Sequence, residues 1–176
     1  MSVRLYQIPD WPRVMEHHCI RAASIDDLAD ICERWWRLLD HQGPSGDGAP
    51  KNPKNEAAAM DFLRNRILRG QIHVAEIRRN IVGIASVAVE ISPLEGSPVI
   101  WNIADLWVDE NSRQIGVGRG LVRYCEQRAA DQGAEEVRLT VHPNNEGATE
   151  FYQRLGYNIQ LLRLTKRLAG GHQPPS

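Results

Sequence analysis

The chain has 176 residues, 42% of them hydrophobic and 24% charged, a balance suited to a globular domain with one continuous core. Its formal net charge of -1 at pH 7 offers no basic excess, which excludes a general nucleic-acid binder. No run approaches the roughly 20 apolar residues that span a bilayer, so no membrane partner is expected.

The first 18 residues mix charges, Trp and Pro, lack a signal-peptide core and are taken as an N-terminal extension. Cys19 to Ala23 reads as a short strand. Ser24 with Asp27 three residues later forms a capping pattern, and Leu28, Ile31, Cys32, Trp35, Leu38 and Leu39 then fall at helical spacing. His41 to Asn55, rich in Gly, Pro, Asn and Ser, is expected to be irregular. A second helix is expected over Ala57 to Leu68, where Met60, Phe62, Leu63, Ile67 and Leu68 fall in a helical pattern. Ile72 to Ile77 and Ile81 to Ile91 flank Arg78-Arg79-Asn80 as a hairpin.

After a turn-rich break, Pro98 to Val108 reads as a central strand, and Val117, Leu121, Val122, Cys125 and Ala129 form a third helical stripe. Glu136 to Val141 is a strand, Asn145 to Leu155 a helix and Asn158 to Thr165 a last strand. The order predicts one α/β domain over residues 19–168, with residues 169–176 as a tail. The cysteines, Cys19, Cys32 and Cys125, are widely spaced and the histidines scattered, so no metal centre is expected. Reduced thiols and a cytoplasmic setting follow from the same pattern.

The informative segment runs from Val108 to Val122: strand, polar turn, glycine-rich stretch, amphipathic helix. The first amides of a helix lack intrahelical partners and lie at the positive end of its dipole. Gly116 and Gly118 let a phosphate approach that backbone, and Arg113 and Arg119 add formal charge. A phosphate or pyrophosphate site is predicted. No Gly-Lys-Ser/Thr follows, as a Walker A loop needs, and Leu121 stands where a dinucleotide fold needs a third glycine. Close helix packing and another phosphate-bearing cofactor, such as a nucleotide, remain the competing explanations of these glycines.

Arg113-Gln-Ile-Gly116-Val-Gly118 resembles the Arg/Gln-x-x-Gly-x-Gly/Ala motif of the GCN5-related N-acetyltransferases. Asn145-Glu-Gly-Ala148-Thr-Glu-Phe151-Tyr152-Gln-Arg-Leu155-Gly156-Tyr157 is similar to that family's second signature. The resemblance, over about Cys19 to Leu168, implies a mixed central β-sheet flanked by helices, with two central parallel strands splayed apart. It implies acetyl-CoA as co-substrate, its pyrophosphate on Arg113, Gln114, Ile115, Gly116, Val117, Gly118 and Arg119. The pantetheine arm is then expected along the backbone of Leu106, Trp107 and Val108, with Asn145 nearby, although Asn is also a preferred helix cap.

The implied reaction is direct acetyl transfer to a primary amine of a small molecule or peptide; a second copy of the chain is a further candidate partner. Tyr152 is the implied general acid toward the departing thiolate, against a packing role beside Phe151. A Glu is common in the family where Ala104 stands here, which leaves Asp105 or His142 as the base candidates. Strict strand alternation would put Ala104 and Asp105 on opposite faces. Trp36, Asp40 and His41 are expected to line the acceptor site, the alternative being core packing and a solvated helix end. The rival reading is a coenzyme-binding sensor without turnover, for which Ala104 speaks.

Overall fold

The structure is a computed structural model that describes residues 18–42, 50–90 and 98–161. These form two compact units dividing between His142 and Pro143.

In the first unit, strand β1 (His18–Ala22) leads through a 3-10 turn into helix α1 (Leu28–Gln42). The capping pattern is realised: Asp27 accepts the Ser24 N–H at 2.7 Å and the Ser24 hydroxyl at 3.0 Å. Arg21 closes on the same carboxylate at 2.7 and 2.9 Å, tying β1 to the helix entry.

Helix α2 (Pro53–Leu68) starts four residues before the sequence suggested. Asn52 caps it by accepting the Asn55 N–H at 2.9 Å, and Pro53 occupies the first turn, where no N–H is needed. Ala59, Leu63 and Ile67 are buried, whereas Phe62 and Leu68 are exposed.

Strands β2 (Ile72–Ile77), β3 (Asn80–Glu90), β4 (Ile100–Val108) and β5 (Glu136–Leu139) complete a sheet of order β1-β2-β3-β4-β5. It is antiparallel except for β4 and β5, which run parallel across helix α3 (Val117–Asp131). The α/β class and mixed sheet therefore hold. The β2–β3 turn has φ of 52° at Arg78 and 68° at Arg79, the two positive-φ central residues of a type I′ hairpin.

Helices α1 and α2 pack on one face, where Ile31, Trp36, Leu63, Val74, Ile84 and Trp107 share a core. Helix α3 covers the other face. Gly83, next to Ile84 and so pointing oppositely, is tightly enclosed: a Cβ would meet the Trp107 carbonyl oxygen at 3.0 Å, Leu121 Cδ1 at 3.1 Å and Val117 Cγ1 at 3.3 Å. That missing side chain lets the start of α3 lie against the sheet.

The second unit contains helix α4 (Glu146–Arg154), capped by Asn145, which accepts the Ala148 N–H at 3.1 Å. Residues 158–161 carry no strand, and 162–165 lie outside the described residues, as do the rest of the expected tail and all of the extension but His18. Among the described residues, no helix is long and apolar enough to cross a membrane, and no group of three or more metal-ligating side chains converges.

Candidate active site

Strand β4 outruns its parallel neighbour. Strand β5 pairs only with Ile100 to Ile103, while β3 accompanies β4 as far as Val108. Asp105 to Val108 therefore has a strand on one side and, among the described residues, none on the other. The Asp109 N–H donates to the Val82 carbonyl at 2.9 Å. By antiparallel alternation Trp107 also turns its backbone toward β3, whereas Leu106 and Val108 turn theirs to the open edge. The Trp107 backbone is thus engaged in the sheet, opposite Ile84 of β3.

A bulge shapes this edge. Ser86 pairs with Asp105 but Val87 with Ile103, so Ala104 is the extra residue. Alternation fails there. Ile103 shares the face of Val87, on the α3 side, while Asp105 shares the face of Ser86, on the side of α1 and α2. Strict alternation therefore does not fix the relative facing of Ala104 and Asp105. The Ser86 hydroxyl, on a residue 3% exposed, donates to Asp105 Oδ2. Ala104 itself is exposed.

Beyond β4, a 3-10 turn (Glu110–Ser112) leads into the glycine-rich loop. Gly116 has φ of 93° and precedes α3 with no side-chain cap, so the first amides of the helix, at Val117, Gly118 and Arg119, lack intrahelical partners. Gln114 also takes a positive φ of 61°. Gln114, Ile115 and Arg119 are exposed, while Val117 is buried against the sheet. The Arg113 guanidinium lies 5.0 Å over the Trp107 ring, and its Nε donates to the Val108 carbonyl at 3.0 Å. Its side chain thus sits on the open edge of β4.

A surface cavity of about 640 Å³ opens where the end of α1 meets the end of β4, lined by Arg37, Asp40, His41, Trp107, Asp109, Glu110 and Asn111. The His41 ring stands edge-on to Trp107 at 5.9 Å between centroids. Asp40 and His41 are thereby brought together with the tip of β4. Trp36 is not: it is 5% exposed and packed in the core, and the partly buried Trp35 lies over it at 5.6 Å. Trp36 thus belongs to the core rather than to the cavity, and Trp35 packs half-buried against it and Phe62.

Asp109 organises the cavity wall. It accepts the Trp107 indole N–H at 3.0 Å and pairs with Arg34 at 2.8 Å and Arg37 at 3.7 Å. Sequence reasoning missed Arg37, Asp109, Glu110 and Asn111; the signal available was a polar run directly after an apolar strand. His142 is exposed in coil three residues past β5, which ends at Leu139 rather than Val141. In the second unit, the Tyr152 ring lies 5.0 Å from Phe151 and 5.7 Å from Tyr157.

The sequence profile of the acetyltransferase (GNAT) family matches residues 28–157. This chain belongs to the GNAT acetyltransferase family.

This GNAT protein is 33% identical over 163 residues to an uncharacterised N-acetyltransferase of Methanocaldococcus jannaschii, covering 88% of its own length and 69% of the relative. A chloroplastic GCN5-related N-acetyltransferase of Arabidopsis thaliana is 37% identical over 65 residues, 37% of this chain but only 23% of the plant protein. In fold it is similar to an aminoglycoside acetyltransferase from an uncultured soil metagenomic sample, solved with sisomicin. The TM-score is 0.66 at 19% identity, over 86% of this chain and 97% of that one. The GNAT chain is thus an acetyl-transferring enzyme, and a sensor without turnover is set aside.

Proposed function

We propose that this enzyme transfers an acetyl group from acetyl-CoA to a primary amine of a small molecule or peptide. The observation that carries the reading is the open edge of β4 leading into the uncapped start of α3. The outward backbone groups of Leu106 and Val108 suit the amides of a pantetheine arm, which would hydrogen-bond there like an added strand. The free amides of Val117, Gly118 and Arg119, with Gly116 at positive φ and the exposed Arg119 guanidinium, suit a diphosphate. The residues present therefore fit the coenzyme. Arg113 and Gln114 flank that loop, and Ile115, 41% exposed, offers an apolar surface beside it.

When bound, the coenzyme supplies a thioester carbonyl for attack by a neutral amine. A lysine-like amine, with a reference pKa of about 10.4, must lose a proton first. Asp105, held on the α1 and α2 side of the sheet, is the proposed acceptor of that proton, through water; His142 is the alternative. Asp40 and His41 in the cavity beside Trp107 are proposed to receive the amine. Tyr152 and Asn145 are proposed, from their place in the second signature, to protonate the departing thiolate and to contact the pantetheine. A cytoplasmic setting agrees with three free cysteines.

Thiol release from acetyl-CoA, measured across a panel of amines, tests the proposal. Turnover with at least one primary amine, together with saturable acetyl-CoA binding, is expected. Stabilisation by ATP or NAD but not by CoA in a thermal-shift comparison would overturn the choice of coenzyme.

A further inference from the structure

We infer that Ser86 is a positioning residue for Asp105, an inference that rests on the reading of Asp105 as the acceptor of the amine proton. The bulge at Ala104 brings Asp105 directly opposite Ser86 across the β3–β4 ladder. Ser86 is 3% exposed, and its hydroxyl donates to Asp105 Oδ2. A carboxylate on a strand end can turn about its side-chain bonds; a buried hydroxyl on the neighbouring strand removes that freedom and leaves Oδ1 to meet water or substrate.

The bulge is held from the helix side as well. Arg66 of α2 donates from Nη2 to the Val87 carbonyl at 2.7 Å, one residue along from Ser86. Its guanidinium also bears electrostatically on Asp105. Arg66 thus joins Ser86 in bracing the stretch of β3 that faces Asp105. Ser86 accordingly sets the direction of Asp105 without touching substrate.

Steady-state kinetics on Ser86→Ala, Ser86→Cys and Ser86→Thr, beside Asp105→Asn, test this. Loss of the hydroxyl in Ser86→Ala should lower kcat about tenfold, with acceptor KM and acetyl-CoA affinity little changed. Ser86→Thr should restore kcat. Ser86→Cys, close in size, should resemble Ser86→Ala and stands in for it if alanine prevents folding. A wild-type kcat in the hydroxyl-free variants beside a slow Asp105→Asn would overturn this inference alone. Wild-type turnover in Asp105→Asn would instead remove Asp105 from the chemistry and the inference with it.

Discussion

Asp109 accepts the indole N–H of Trp107 at 3.0 Å while pairing with Arg34 at 2.8 Å, so one carboxylate fixes an aromatic wall of the cavity and anchors α1 to the end of β4. Arg34 extends the tie by donating to the Ile81 carbonyl of β3. Both the fold and the cavity depend on this carboxylate.

Replacing Asp109 by Ala leaves the Trp107 indole N–H without its acceptor and takes one carboxylate from a largely buried guanidinium, which keeps Asp30 and the Ile81 carbonyl. A loss of about 2 kcal/mol of stability is expected, read as a lower urea midpoint, together with a raised acceptor KM. Asp109→Asn, which can still accept from Trp107, should lie between wild type and Ala on both measures.

His73 on β2 is 1% exposed, and neither ring nitrogen has a hydrogen-bond partner; the Tyr124 ring stands against it at 5.0 Å. Burial, with the nearby Arg128 charge, lowers its pKa from 6.5 to about 4. The folded protein therefore keeps His73 neutral where the unfolded chain takes up a proton. Its contribution to stability is complete above about pH 6.5 and falls as pH drops toward 4, by about 3 kcal/mol in all. Denaturation midpoints across that window should decline less steeply in His73→Phe. Parallel profiles would show that His73 does not carry the acid sensitivity.

Gly116 stands at φ of 93°, a conformation that costs a β-branched residue dearly. Gly116→Val should destabilise the protein by about 2 kcal/mol and weaken acetyl-CoA binding in calorimetric titration at least about tenfold. Undiminished affinity in a folded variant would move the diphosphate away from this loop.

The type I′ turn carries Arg79 at φ of 68°, where glycine is the favoured residue. Arg79→Gly is expected to stabilise by about 1 kcal/mol, raising the melting temperature by about 3 °C. Activity should not change, since the turn is no part of the proposed site.

Tyr152→Phe should reduce kcat about ten- to a hundredfold while leaving the acetyl-CoA Kd nearly unchanged. Wild-type turnover would assign Tyr152 to packing with Phe151 and Tyr157 instead.

Much of the architecture is legible in local pattern. The stripe of α1, the β2–β3 hairpin and the glycine-rich entry to α3 all arise from short-range spacing, and each stands where that spacing put it. What escapes are properties of pairs of elements. The bulge at Ala104 exists only in the register between β3 and β4, so alternation read along β4 alone gives Asp105 the wrong phase. The burial of Trp36 beside the expected stripe depends on how α2 packs over α1, which spacing within α1 leaves open. Composition misled at the start of α2, because Asn52 and Pro53 are loop-forming residues in general and helix-starting ones at the cap. Along the cavity wall, Asp40 and His41 are legible from their place at the end of α1. Asp109 is not, because its importance comes from Arg34, a residue 75 positions earlier.

The position of Arg113 on the Trp107 ring makes that indole a natural optical gauge of the loop. A cation at a ring face changes both the intensity and the wavelength of emission, and Nε holds it there through the Val108 carbonyl. A partner that hydrogen-bonds to the Val108 carbonyl shares that oxygen with Nε and is expected to shift the guanidinium on the ring. Occupancy of the edge can therefore be followed in the ultraviolet without a label, with Trp107→Phe supplying the blank.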